Sequence, residues 1–350
     1  MKIRLHNNSA GIALIIALIA VLVLSALAAG FALSMKVETR LAFNANSDTQ
    51  LYWLGRSGAE YCRWVLSQEK CNYDSLNQIW AGGPGTDCDT NLEVSNPVQI
   101  GNGTCTWQII DLDRYANINT ANGPEIQQAL TDMGVDANEI SVVSDSIQDW
   151  IGPAGPPRVA GAESDYYQGL DPPYYAKNAP IDDISVLLLI RGILDHPEIY
   201  WGGCATNNPG PTFQHKLGFG NSPDENACYP FGLKDVFTAI SSGRININTA
   251  GTNVLAMIPG MNAAMADNLI KLRAGPDGVD GTDDDTPFQD AGQAIQSAGG
   301  NPGLAGNFVS TRSSTFMVFI TAQIGSAPPR KYTAILHRSS PTDIQVLSFY

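Results

Sequence analysis

The sequence predicts an α+β fold: one long N-terminal helix packed on an antiparallel sheet, with a large helical domain inserted between the strands. Three observations lead there. Residues 12–33 carry no charge, and no proline interrupts the chain from Met1 to Asp74. β-type runs occur at 104–112 and again only beyond 315, near the C-terminus. Between them, segments of helical period alternate with Gly-, Pro- and Asn-rich turns.

The bulk properties set limits before any motif is read. A chain of 350 residues has room for an anchor segment and one large or two modest domains. A net charge of −14, with the 20 Lys and Arg residues scattered, opposes binding to nucleic acid phosphates and anionic lipid surfaces. Six cysteines lie at 62, 71, 88, 105, 204 and 228 and form no C-x-x-C pair, which argues against a zinc ribbon or a thioredoxin-like centre. An even count suits an oxidising compartment, and about fifteen full pairings exist on paper. Cys204 with Cys228 and Cys71 with Cys88 are favoured, because each pair closes a short polar loop bearing Gly and Pro. The alternative for some of the six is a free thiol packed in a core.

The N-terminus carries the class of the protein. Residues 1–11 are polar and include Lys2, Arg4 and His6. The uncharged run that follows is about 33 Å long as a helix, enough to cross a hydrocarbon core of about 30 Å. Lys2 and Arg4 favour a cytoplasmic amino end, although Lys36 and Arg40 on the far side weaken that asymmetry. Three readings compete: a plain transmembrane anchor, a signal peptide cut near Ala26-Leu27-Ala28, and a short leader cut after Gly11 with the apolar helix retained. The third fits best, because the apolar run starts at Ile12, directly after the glycine. Beyond the run, Leu51, Leu54, Gly58, Cys62, Val65 and Leu66 continue at helical spacing with Arg56, Glu60 and Arg63 between them. One helix from Ile12 to about Ser67 would then be roughly 85 Å long, lipid-facing first and amphipathic afterwards.

Residues 69–104 are loop-like, and 104–112 lead into Asn117-Ile118-Asn119-Thr120-Ala121 and helical patterning through Asp149. Next come Asp149-Trp150-Ile151, a Pro/Gly turn, Gly161 through Tyr167, Pro172-Pro173-Tyr174, Asn178-Ala179-Pro180 and Ser185 through Gly192. The aromatic residues in this stretch read as packing. Residues 202–232 form a long Gly/Pro/Asn-rich loop bracketed by Cys204 and Cys228, which reads as stapled. Residues 246–250 repeat the Asn-Ile-Asn-Thr-Ala of 117–121 and mark a second, related helical lobe. There the Asn-Thr turn is expected to cap a helix, Pro259-Gly260-Met261 to form a tight hairpin, and Ala266, Leu269 and Ile270 to lie on a second helix. The last three β-type runs, 316–324, 331–337 and 343–348, complete an antiparallel sheet on the amphipathic half of the long helix.

The leader, the long helix and the Trp/Tyr/Pro order of 149–192 resemble the pseudopilins. Within them they resemble the GspK family, the large minor pseudopilins of type II secretion (general secretion pathway protein K). The resemblance covers nearly the whole chain. It implies a pilin-like fold whose inserted domain contains a helix-hairpin-helix (SAM-like) element. It divides the chain into a leader (1–11), a transmembrane helix (12–33), its amphipathic continuation (34–68), the start of the pilin domain (69–115), the inserted domain (116–243), the hairpin region with its acidic loop (244–300) and the closing strands (301–350). It also implies cleavage between Gly11 and Ile12 by a prepilin peptidase. The protein would then be single-pass in the inner membrane, its bulk periplasmic, in a tip complex with GspI- and GspJ-type pseudopilins above the pseudopilus shaft. Most pilins have Glu at the fifth position of the mature helix, where this chain has Ile16, as the family does. A subunit at the tip has no neighbour above it whose amine needs that carboxylate, and an unpaired Glu in lipid is costly. A minor pilin of a type IV pilus is the nearest alternative.

Two features bear on ligands. Asp277, Asp280, Asp283, Asp284 and Asp285 alternate with Gly and Thr, a composition able to wrap calcium, though the spacing is not that of an EF-hand. The bland reading is a solvated acidic loop; calcium-binding members of the resembled family favour a structural ion. The hairpin also resembles that of DNA-uptake receptors, the rival from another functional class. Asn262 replaces their second glycine, however, and only Lys271 and Arg273 offer positive charge beside the aspartates, so no nucleic acid partner is expected. Four histidines spread over the chain and the absence of any nucleophile, base and orienting group argue against an enzyme.

The leader reading is checked by mass spectrometry of the amino-terminal peptide from membrane-purified protein. The expected start is methylated Ile12; a start near Ala29 would mean that the apolar helix is a discarded signal.

Overall fold

A computed structural model describes residues 9–89, 93–203, 229–325 and 327–350, with the side chains of 9–12 and 43–46 excluded. Helix α1 (Ser9–Ser67) runs without a break, as the missing proline and the continuous apolar pattern predict. Its first half is exposed and apolar from Leu14 to Leu33, while Leu51, Leu54, Cys62, Val65 and Leu66 on its second half are buried. Beneath that second half lies a five-stranded sheet: β1 (Val98–Ile100), β2 (Gly103–Asp111), then, from the far end of the chain, β7 (Thr315–Ile324), β8 (Arg330–Ser340) and β9 (Asp343–Phe349). The order is β1-β2-β7-β8-β9, antiparallel throughout, with Trp107 opposite Ile320 and Val318 opposite Ala334.

Strand alternation decides which side chains meet the helix. Cys105, Trp107 and Ile109 of β2 and Phe316, Val318, Ile320 and Ala322 of β7 form one core with α1. Two glycines let the helix come this close. A Cβ on Gly55 would stand 2.3 Å from the Tyr332 ring, and one on Gly58 would stand 2.9 Å from Ile320 Cγ2. The linker after α1 tucks Trp80 edge-on against Phe316, with ring centroids 5.3 Å apart. Cys71 and Cys88 are disulfide-bonded, as expected, and clamp this linker. Cys62 and Cys105 are buried free thiols, and Cys204 and Cys228 lie outside the described residues.

The described residues between 112 and 314 build the helical domain on a separate core. Its first lobe opens with β3 (Ala116–Asn117), then α2 (Gly123–Met133) and α3 (Ala137–Ile151). Asn122 and Glu125 form a reciprocal cap on α2, and Gly134 at φ 84° breaks the helical pattern before the Asp136 cap of α3. Short helices α4 (Ser164–Gln168), α5 (Glu198–Trp201) and α6 (Leu233–Val236) and strand β4 (Phe237–Thr238) complete it. The second lobe repeats the plan: β5 (Ile245–Asn246), α7 (Thr252–Ala256), α8 (Ala263–Arg273), α9 (Ala291–Ser297), α10 (Pro302–Ala305) and β6 (Val309–Ser310). β3 pairs in parallel with β4, and β5 in parallel with β6.

The second Asn of the echoed pentapeptide does the same work in both lobes. The Asn119 side chain brackets Ile181, accepting its N–H at 2.8 Å and donating to its carbonyl at 2.9 Å. Asn248 brackets Phe288 in the same way, at 2.9 Å each. One expectation is corrected here. Neither Asn248 nor Thr249 caps α7; its N-cap is Gly251 without a side-chain bond, because both polar side chains are engaged by tertiary partners.

Gly58→Leu would drive a side chain into Ile320. The expected cost is about 1–3 kcal/mol, read as a lowered thermal unfolding midpoint of the full chain in detergent; an unchanged midpoint would refute this packing.

Candidate functional site

The helical domain meets the sheet at a buried polar joint. Asp111 ends β2, and its Oδ1 accepts the Asp113 N–H at 2.8 Å, turning the chain out of the sheet. Its Oδ2 accepts Thr249 Oγ1 at 2.5 Å, Ser313 Oγ at 2.6 Å and Asn246 Nδ2 at 3.3 Å. Thr249 and Asn246 belong to the second lobe, Ser313 to the segment entering β7. Asp113 accepts the Ser242 N–H at 2.7 Å and the Ser314 N–H at 2.6 Å. Asp74 arrives from the disulfide-clamped linker and pairs with Arg338 of β8 at 2.5 Å, with both side chains almost fully buried. The Arg338 guanidinium also lies 4.8 Å over the Phe316 ring and donates to the Ser313 carbonyl at 2.8 Å.

Burial pushes the Asp111 carboxyl up to about 7, helped by the charge of Asp113 and opposed by the hydroxyls of Ser313 and Thr249. Beside the joint, Glu69 is also raised to about 7, by burial first and by Asp89 and Asp74, although it accepts the Cys71 N–H at 3.0 Å. The acidic residues of the joint did not stand out in the sequence, and Asn246 and Thr249 did so only as part of the repeated pentapeptide. The available signal was the clustering of Asp, Asn, Ser and Thr at strand ends, where buried polar groups must find partners.

The aspartate loop uses its carboxylates on itself. Asp280 makes a two-pronged pair with Arg273 at 2.9 and 2.7 Å. Asp277 accepts the Val279 N–H, Asp284 accepts the Asp277 N–H and the Thr282 hydroxyl, and Asp285 accepts the Gly281 N–H. The Thr282 hydroxyl and the Asp277 N–H hold the Asp284 carboxyl below its ordinary range. Asp283 and Asp285 face Asp87, Asp89 and Glu93 across a cavity of about 580 Å³. Among the described residues, no three His, Cys, Asp or Glu side chains group as a metal site.

The hairpin of Pro259, Gly260 and Met261 is a tight turn, with the Met261 N–H bonded to the Ile258 carbonyl at 2.9 Å and Gly260 at φ 83°. A Cβ on Gly260 would touch Leu304 of α10 at 3.2 Å. Of the two cations near it, Arg273 is turned inward, 4% exposed, donating to the carbonyls of Ile247 and Ala250 at 2.7 and 2.8 Å. That leaves Lys271 as the outward-facing cation on this helix.

In the first lobe, Trp150, Tyr167 and Tyr174 form one aromatic cluster, with ring centroids 5.0 Å and 5.3 Å apart along it. Buried Asp149 holds Arg158 at 2.5 Å, and a Cβ on Gly161 would collide with its carboxylate. These positions pack the lobe. Helix α1 is long and apolar enough to cross a membrane by length and composition. Gly11 and Ile12 lie within its unbroken course, and Ile16 is exposed on its apolar part.

Comparison with known proteins fits this architecture. Residues 109–199 match the family model described as type II secretion system (T2SS), protein K. A candidate type II secretion system protein K of Escherichia coli K12 is 25% identical over 208 residues, 55% of this chain and 60% of that protein. Type II secretion system protein K of Aeromonas hydrophila is 24% identical over 209 residues, 53% of this chain and 60% of that protein. The chain thus spans about three fifths of the curated relatives it matches. The crystal structure of the GspK-GspI-GspJ complex from enterotoxigenic Escherichia coli contains a chain of the same fold. It matches with a TM-score of 0.60 and 17% identity, over 88% of this chain and 98% of that one.

Arg338→Met leaves the buried Asp74 side chain without its partner, which costs about 3–5 kcal/mol. Chemical denaturation of the full chain in detergent checks this; a loss under about 1 kcal/mol would reduce the pair to surface-bridge strength.

Proposed function

We propose that this chain, a member of the GspK family, is a minor pseudopilin that caps the pseudopilus of a type II secretion machine and starts its assembly. The observation that carries this reading is α1: one unbroken helix, bare and apolar in its first half, buried under a sheet in its second. Bare apolar side chains in water are unfavourable, so the first half belongs in lipid and, later, against neighbouring helices. After cleavage at Gly11 by a prepilin peptidase, the protein sits single-pass in the inner membrane, amino end cytoplasmic, head periplasmic. Ile16 removes the carboxylate that would pair with a neighbour above, and two helical lobes beside the sheet make a head too wide to stack within a shaft. The partners are GspI- and GspJ-type minor pseudopilins, by analogy with the solved complex of those three proteins.

In this reading the head is pilin-like, and α7–α8 form a helix-hairpin-helix (SAM-like) element used for packing. Inward-turned Arg273 and the acidic loop beside the hairpin count against the DNA-uptake alternative. The function is assembly, without a catalytic step. Calcium enters as a structural ligand of the aspartate loop, supported by the carboxylates of Asp283 and Asp285 facing those of the linker.

The test is co-expression of the full chain with GspI- and GspJ-type partners and isolation from membranes. A single ternary complex is expected, with a higher thermal midpoint in calcium than in chelator. A chain that purifies alone would sink the tip reading; a midpoint indifferent to calcium would remove the ion alone.

A further inference from the structure

The joint holds more acid than base. Asp74, Asp111 and Asp113 converge there, and the cation bonded into it, Arg338, is committed to Asp74 and the Ser313 carbonyl. Around Asp111 the facing groups come from every packed element: Asp113 from its own strand end, Asp74 from the linker with Glu69 and Asp89 behind it, and Arg338 from β8 through Asp74. From the second lobe come the neutral Asn246 and Thr249, with Arg273 turned to the far side of the same turn and held by Asp280.

The hydroxyl network has a second arrangement ready. Thr249 Oγ1 stands 2.5 Å from Asp111 and 3.4 Å from the Asn246 carbonyl. Ser313 Oγ stands 2.6 Å from Asp111 and receives Asn246 Nδ2 at 2.7 Å. A neutral Asp111 donates its proton to Thr249 Oγ1, whose own proton turns to the Asn246 carbonyl. Every group stays bonded and no heavy atom needs to move.

We propose that Asp111 is a proton-operated clasp between the two parts of the head: a proton on its carboxyl seats the second helical lobe firmly on the sheet, and its loss loosens that seat. The sign follows from the carboxyl binding its proton more tightly in the closed joint than in an opened chain, near 7 against 3.8. The clasp's contribution is full below 3.8, falls as pH rises toward about 7, and is absent above it.

Hydrogen exchange on the full chain in detergent micelles tests this at amides 245–250 and 313–315, at pH 5.5 and 8.0, with intrinsic rates corrected. One proton taken up on closing changes the opening equilibrium by up to about tenfold per pH unit, and for a carboxyl near 7 when closed and 3.8 when opened protection about thirtyfold greater at pH 5.5 than at 8.0 is expected. Asp111→Asn abolishes the difference, whereas Glu69→Gln, which removes the neighbouring acid, keeps it. Equal protection at both pH values in the wild type, or the same difference in Asp111→Asn, overturns the proposal. Should Asp111→Asn fail to fold, Ser313→Ala keeps the acid and its acceptor Thr249 and removes a bond that favours the ionised form. The midpoint of the protection change then moves to higher pH, and an unmoved midpoint overturns the proposal equally.

Discussion

The chain leaves the sheet at Asp111 and re-enters it at Thr315, so the whole helical domain is fastened through two neighbouring strand ends. Around those ends lie groups that cannot be left bare: the Asp111, Asp113 and Asp74 side chains, the Asn246 amide and the Arg338 guanidinium, all buried or nearly so. An unmatched buried charge costs several kcal/mol, so each must find its partner across the boundary between sheet and lobe. Satisfying them fixes where the second lobe sits. The first lobe inherits that position, because both lobes share one apolar core.

The long helix answers to a different constraint, which is that it serves two solvents. Up to Leu33 it has no charge to offer water and no core to enter. Its second half must lie close enough to the sheet to exclude water, and Gly55 and Gly58 set that distance by presenting no Cβ to Tyr332 and Ile320. The buried thiols of Cys62 and Cys105 lie in the same interface and behave there as small apolar groups, pushed well above the ordinary thiol range by burial.

The two pentapeptides show how one local device takes on different work. In both lobes the second Asn clamps a distant strand-like segment through its amide, which is local chemistry repeated. In the first lobe the leading Asn117 donates to the Ser241 carbonyl, a lobe-internal contact. In the second, Asn246 reaches Asp74, Asp111 and Ser313 and becomes part of the joint. Identical residues thus differ in role because one copy lies against the sheet and the other does not.

The elements themselves were legible in the chain. The proline-free apolar run foretells α1, the alternation of 104–112 and of the last three runs foretells the sheet, and the Gly-flanked turns foretell the helix breaks, because these signals act between near neighbours. The Cys71–Cys88 bond was legible for the same reason, as the closure of a short loop. Pairing across long separations was not. That Asp111 should meet Thr249, that Asp74 should meet Arg338, or that Arg273 should turn inward rather than toward solvent depends on which strand ends come together. Only the packed tertiary structure decides that, since a carboxylate in sequence carries no mark of the partner that burial will force upon it.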